Sequence, residues 1–247
     1  MRALMATSLL GAVACSTSSA APARQITVAA EASLSVVFQQ IGSAFERANP
    51  GLSVRFTFSS SNGLATQIQQ GAPVDVFASA ASRWLDAVAK DPGVIVRAPF
   101  ARNRLIVIVP RDDPAHVTRL ADLASKGVKL VLGAPGVPAG DYARQALTKA
   151  GLRAALKNVV SNEQDVEGAV AKVTSGDADA GIVYATDLTA SVSSSVRVIE
   201  IPSAANVVAI YQIGIVRGTK AASLARAFLD YVLGPGQVAL RAAGFSP

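Results

Sequence analysis

The chain has 247 residues, 51% of them hydrophobic and 16% charged, a balance that excludes a disordered chain and suits one large domain or two small lobes with ample core. Its formal charge of +6 raises the question of nucleic acid, but Lys and Arg are scattered, with Arg102-Asn103-Arg104 among the densest clusters, and aromatics make up only 5%. A solvated basic surface that mildly steers anions is the expectation, with no nucleic-acid partner.

Residues 1–23 read as an export signal. Met1-Arg2 is a minimal positive start, and the apolar run from Ala3 to Cys15 is too short to cross a bilayer. Small residues follow, with cleavage sites at Ala21-Pro22-Ala23 or Ser19-Ala20-Ala21. Removal through Ala23 takes away Arg2 alone among the charged residues, so +6 becomes +5. The mature protein is therefore expected in the periplasm or otherwise outside the cytoplasm. Cys15, the only cysteine, lies in this leader, so the mature chain would carry no thiol and no disulfide. Two readings of Cys15 stay open. It is either discarded with the leader, or it becomes the lipidated N-terminus of a lipoprotein and anchors the protein to a membrane; Ala12 stands where that cleavage box usually has Leu.

After the leader, strand and helix signals alternate. "QITVAA" (25–30) is β-rich, and "SLSVVFQQIGSAFERA" (33–48) has apolar residues at helical spacing with Ser33 as its cap. "LSVRFTF" (52–58) alternates as a strand, then breaks into Ser59-Ser60-Ser61-Asn62-Gly63 before a helix. "VDVFASA" (74–80) reads as a short buried strand, "SRWLDAVAK" (82–90) as a helix, and "RLIVIVP" (104–110) as a strand covered on both faces. The second half repeats this grammar. "VKLVLGAP" (128–135) precedes the helix "AGDYARQALTKA" (139–150), and "KNVVS" (157–161) precedes "EQDVEGAVAKVTSG" (163–176). "AGIVYA" (180–185), "VRVIEIP" and "NVVAIYQIGIV" are further strand signals, and "AASLARAFLDYVLG" (221–234) is an amphipathic helix. Such alternation predicts parallel sheets with helices on both faces.

In sheets of that kind, ligands collect beyond the carboxyl ends of strands, where helix N-termini point. Four strand-to-helix junctions are rich in small or hydroxylated residues: 30–33, 59–63, 136–140 and 161–166. None holds a Lys, Arg or His. For 59–63, cap and turn chemistry accounts for the serines, while a helix start with extra hydroxyls is also a place to hold an anion.

Enzyme chemistry is not expected, and no catalytic residue is assigned. There is no G-x-S-x-G, no phosphate-binding glycine loop and no His/Cys cluster, and the sole histidine, His116, sits in a polar loop. Asp75, between Val74 and Val76, reads better as a turn-pinning residue than as a general base.

The segments "AEASL", "SSSNGLATQIQQGAPVDVFASA", "VPAGDYARQAL", "DVEGAVAKV" and "AGIVYATD" resemble, in that order, the molybdate-binding proteins of ABC transporters. The similarity covers essentially all of residues 25–245, including the "GPGQVALRAAGF" ending. The resemblance implies an α/β, two-lobed periplasmic-binding-protein fold of type II. Each lobe would be a mostly parallel sheet flanked by helices, with the ligand cleft between them. Residues 24–103 and 207–247 would form one lobe and 104–206 the other. It further implies a protein that closes on molybdate or tungstate, delivers it to membrane permease subunits, works as a monomer and needs no cofactor. Carried over residue by residue, the oxyanion contacts fall on Ser33, Ser61, Ala139, Val166 and Tyr184. They would hold the molybdate metal centre only through its oxygens, and no cation site is implied. On that footing the serines at 59–61 wrap a dianion as well as cap a helix. A site of neutral donors has no group titrating near neutrality apart from any influence of Glu31, so affinity should be nearly flat between about pH 6 and pH 8. Three departures accompany the match. Glu31 stands where the family has a small residue and would oppose a dianion unless it points away or pairs with a base. The turn before Val137-Pro138-Ala139-Gly140 is one residue short, and Asn62 replaces a small residue. The alternatives are the same fold tuned to sulfate or another tetrahedral oxyanion and, from another class, an effector-binding domain of a regulator. That last reading would require a DNA-binding helix-turn-helix where the leader stands. An enzyme that assembles tetrapyrroles on a cysteine-linked cofactor would need a mature cysteine.

Overall fold

The alternating apolar segments fold into two five-stranded sheets with helices on their faces. The computed structural model describes residues 24–247, so the export signal, its cleavage sites and Cys15 lie outside the described residues. The first stretch contributes β1 (Arg24–Glu31), α1 (Ser35–Ala48), β2 (Leu52–Ser59), α2 (Ser61–Gln69), β3 (Val76–Ser79), α3 (Ser82–Val88) and β4 (Val94–Asn103). The middle contributes β5 (Leu105–Pro110), β6 (Leu130–Gly133), α4 (Pro138–Lys149), β7 (Val159–Glu163), α5 (Val166–Thr174), β8 (Ala180–Tyr184), α6 (Ala190–Ser195) and β9 (Val196–Glu200). The chain then returns through β10 (Ala209–Val216) and ends with α7 (Ala222–Leu233) and α8 (Gln237–Ala242).

Strand order is β2-β1-β3-β10-β4 in the first sheet and β7-β6-β8-β5-β9 in the second. In the first, β1 runs parallel to β2 and β3, but β10 is antiparallel to β3 and β4. In the second, β6 is parallel to β7 and β8, while β5 opposes β8 and β9. In each sheet four strands run one way and a single strand, β10 or β5, runs against them, so the mostly parallel sheets expected are found, each with one reversed strand. The cause is where the chain changes sheet. Leu105, the first residue of β5, pairs with Tyr184, the last of β8. A strand that starts where the parallel strands end must run back against them. Likewise β10 starts opposite Asn103, at the end of β4, and reaches Ser79, the end of β3, three residues later.

Only Arg104 separates β4 from β5, and residues 201–208 carry the chain back to β10. Asn206 ties the two crossings together: its Oδ1 accepts from Leu105 N–H at 3.1 Å and its Nδ2 donates to Leu105 C=O at 2.8 Å. The six residues of β5 are all buried, as their unbroken apolar run predicts. Helix α1 buries Val37, Phe38, Ile41 and Phe45 on one face, where Phe38 meets Phe56, Phe100 and Phe228. Each such side chain stabilises the fold by about 1.5–3 kcal/mol through apolar burial. Asp75 pins its turn as expected, its Oδ2 accepting from Thr27 N–H at 2.8 Å and its Oδ1 from the Thr219 hydroxyl.

Candidate functional site

Parallel strands end together at the seam between the sheets, and helices or tight turns start there. β1 ends at Glu31 and leads into a tight turn over Ala32–Leu34; β2 leads into α2 at Ser61. From the other sheet, β6 leads into α4, whose second residue is Ala139, and β7 into α5, whose first residue is Val166. Tyr184 closes β8. The first-turn N–H groups of a helix have no partner within it. The N-cap residues of α2 and α4 make no side-chain cap, although Glu31 reaches the first N–H of α2, and Asp165 caps α5 by accepting from Gly168 N–H at 2.9 Å. The turn before α4 is made by Gly136 at φ +96, a conformation natural to glycine, with Pro138 as the first helical residue.

Ser61, Ala139, Val166 and Tyr184 are all fully buried, and Ser33 is half-buried. A chain of contacts links Ser33 to Tyr184. Ser33 Oγ lies 2.8 Å from Tyr211 Oη, and the Tyr211 ring meets that of Tyr184 edge-on at 5.8 Å. Ser33 was expected to cap α1, and it does not. The helix starts two residues later behind Leu34, because the Ser33 hydroxyl is held across the molecule by Tyr211. Among the described residues, three buried side-chain oxygens have no hydrogen-bond partner: Glu31 Oε1, Asn62 Oδ1 and Tyr184 Oη. All three sit at this seam. Buried polar atoms are otherwise almost always paired, so their clustering marks a place built to receive polar atoms from elsewhere.

Glu31 neither points away nor pairs with a base. Its side chain is buried, and its Oε2 accepts from Ser61 N–H at 2.6 Å and from the Ser61 hydroxyl. Ala80 N–H in turn donates to Ser61 Oγ at 3.0 Å. Burial pushes the Glu31 carboxyl up from 4.5 to about 7, against the two Ser61 bonds that favour the charged form, with Asp165 and Glu167 adding to the rise. Glu31, the exception allowed for in the expectation of a site without groups titrating near neutrality, is thus such a group. Asp187 is a second such group. Its Oδ2 accepts from Tyr184 N–H at 2.8 Å, and burial raises it to about 8. It lines a cleft of about 580 Å³, together with Ser33, Ser35, Thr186 and Glu167.

The two sheets are clasped across the seam. Arg83 Nη2 and Trp84 Nε1, from α3, both donate to Gly136 C=O at 3.0 Å, and Arg83 pairs with Asp141 of α4. The Arg83 guanidinium also lies 5.0 Å from the Trp84 ring centroid. Beside the Arg83–Asp141 pair Tyr142 Oη donates to Ala80 C=O at 3.3 Å, and elsewhere along the seam Ser35 Oγ donates to Glu167 Oε1 at 2.9 Å. Tyr211, Arg83 and Trp84 are functional candidates that the sequence reading passed over. A signal existed for Tyr211, since a tyrosine in the otherwise aliphatic strand "AIYQIGIV" needs a buried partner for its hydroxyl.

A buried seam between two mixed α/β sheets, ringed by helix starts, is the architecture of a solute-binding protein that closes around a small ligand. The family model described as bacterial extracellular solute-binding protein matches residues 26–246, and the chain belongs to that family. Its relatives include molybdate-binding proteins. The molybdate-binding protein ModA of Mycobacterium tuberculosis is 39% identical over 90% of this chain and 87% of its own. Among solved structures, the periplasmic molybdate-binding protein of Azotobacter vinelandii superposes with a TM-score of 0.78 at 24% identity, covering 90% of this chain and 99% of its own. The sulfate-binding protein SubI of M. tuberculosis also reaches 0.78, at 17% identity over 91% of this chain and 87% of its own. The fold is thus shared by binders of different oxyanions, and the ligand has to be argued from side chains.

Proposed function

We propose that this protein binds molybdate, and tungstate with it, in the seam between its sheets and delivers the anion to the permease subunits of an ABC importer. It would do so outside the cytoplasm, as a monomer without cofactor or catalytic residue. Residues 24–103 with 207–247 would move against 104–206. Ser33 and Ser61 would donate through hydroxyl and N–H, Ala139 and Val166 through N–H alone, and Tyr184 through its phenol. The observation that carries this reading is the buried, partnerless Tyr184 hydroxyl at the end of β8, in a fold where α2, α4 and α5 each start just after a strand ends. Each helix start presents roughly half an elementary positive charge, so three offset most of a dianion without a cation.

Molybdate and tungstate are fully deprotonated at neutral pH and nearly equal in size. Sulfate carries the same charge on a smaller frame and would stretch some of the bonds. Calorimetric titration of the mature protein with molybdate, tungstate, sulfate and phosphate tests the reading. Similar tight binding of the first two, with sulfate weaker, is the expected result. The absence of molybdate binding, or its survival in a Ser33→Ala, Ser61→Ala double variant alongside its loss on removal of a single basic residue, would overturn it.

A further inference from the structure

The oxyanion reading leaves a buried carboxyl group unused, and that group is bonded to one of the proposed ligand residues. Glu31 Oε2 holds both Ser61 donors, the N–H at 2.6 Å and the hydroxyl. These are the donors an oxyanion would need. Its other oxygen, Oε1, is buried and unpartnered, as is Tyr184 Oη. The charged groups it feels, Asp165 and Glu167 at the start of α5, are acidic, and its other titratable neighbours are Tyr142, Tyr184, Tyr211 and Asp187. A cage of donors alone rejects a ligand that carries a proton, because that proton is left unpaired. A carboxyl group inside the cage changes the selection in two ways. It competes with, and when ionised repels, a fully deprotonated anion; and it accepts a hydrogen bond from a ligand O–H.

We infer that Glu31 is a specificity-determining residue of this site, narrowing the preference for molybdate over tetrahedral oxyanions that carry a proton, of the hydrogen phosphate class. The inference rests on the oxyanion reading. Each ligand would meet a different part of the carboxyl: molybdate displaces it from Ser61, while hydrogen phosphate gives its proton to the oxygen that has no partner.

The test compares wild type with E31A and E31Q, titrated calorimetrically with molybdate and with inorganic phosphate near neutral pH, with thermal unfolding of each ligand-free protein as a control. E31A removes both competitor and acceptor, and it should raise the ratio of phosphate Kd to molybdate Kd by about tenfold or more. E31Q keeps the shape and one acceptor oxygen without the charge. It should bind molybdate more tightly than wild type while phosphate binding stays within about threefold. A ratio unchanged in E31A, or molybdate binding no tighter in E31Q, overturns the inference while leaving the oxyanion reading intact. If E31A does not fold, E31Q decides alone on the strength of molybdate binding. If none of the three proteins binds either anion, the oxyanion reading and this inference fall together.

Discussion

At the scale of single residues, the two groups that matter most, Tyr184 and Glu31, respond to different experiments. The Tyr184 hydroxyl is buried with no partner, so removing it breaks no hydrogen bond of the ligand-free protein. Tyr184→Phe should weaken molybdate by about 1–3 kcal/mol, the range for a hydrogen bond to a charged group, and leave the ligand-free unfolding temperature nearly unchanged. Equal affinity in calorimetry would remove Tyr184 from the ligand set. Glu31 responds to pH. Its carboxyl rises from 4.5 to about 7 on folding, so between those values the native chain holds a proton that the unfolded chain has released. Stability from this group is then full below about pH 4.5, falls as pH rises through the window and levels off above about pH 7. Within the window the loss is at most about 1.4 kcal/mol for each step of one in pH. Asp187 acts in the same direction between 3.8 and about 8. The ligand-free protein should therefore show a higher urea midpoint near pH 5 than near pH 8, and Glu31→Gln should reduce the difference. A midpoint that rises across this range in wild type would contradict the proton-holding state of both groups. Molybdate affinity follows the same sign, weakening as pH rises through about 7 in wild type and weakening less in Glu31→Gln, where Asp187 alone remains.

At the scale of elements, what the sequence made legible follows from what a local pattern can encode. The buried strands β3, β5, β6 and β8 announce themselves by unbroken apolar runs, and α1, α4 and α7 by one-sided periodicity. β4 went unread because it is an edge strand whose exposed positions carry Arg97 and Arg102 and which contains Pro99. An edge tolerates a proline, and a register shift around Phe100 absorbs it. The site was half legible for the same reason. Junctions with free helix starts are local and could be read; the Ser33–Tyr211 bond joins residues 178 apart, and the turning of Glu31 toward Ser61 depends on two strands meeting. One local residue ties element to site. A Cβ on Gly140 would fall 2.1 Å from the Gly133 carbonyl oxygen, so only glycine lets the first turn of α4 rest on the end of β6. Gly140→Ala should lower stability by about 1–3 kcal/mol or more through overpacking, and should weaken molybdate because the turn that carries Ala139 has to move. Normal affinity at reduced stability would separate α4 from the ligand.

At the scale of the whole molecule, the two crossings lie side by side, joined by Asn206, while the clasps sit on the rims away from them. Bending at the crossings would part the rims most. The Arg83–Asp141 pair is partly exposed, so its loss should change stability by no more than about 1 kcal/mol. Arg83→Ala should instead show itself in the rate at which molybdate escapes, faster than in wild type by stopped-flow displacement. An unchanged escape rate would mean that this rim does not gate the seam. The same rim gives the protein an optical property. Its one tryptophan, Trp84, spans the gap to Gly136, so the only indole chromophore in the chain stands on the boundary that such bending would open. Water relaxes around an excited indole and shifts its emission to the red. A parted rim should therefore emit at longer wavelength than a closed one, and added molybdate should drive the spectrum to the blue with a midpoint matching the calorimetric one. With no second tryptophan to dilute the signal, the native protein would serve as a label-free fluorescent gauge of its own occupancy.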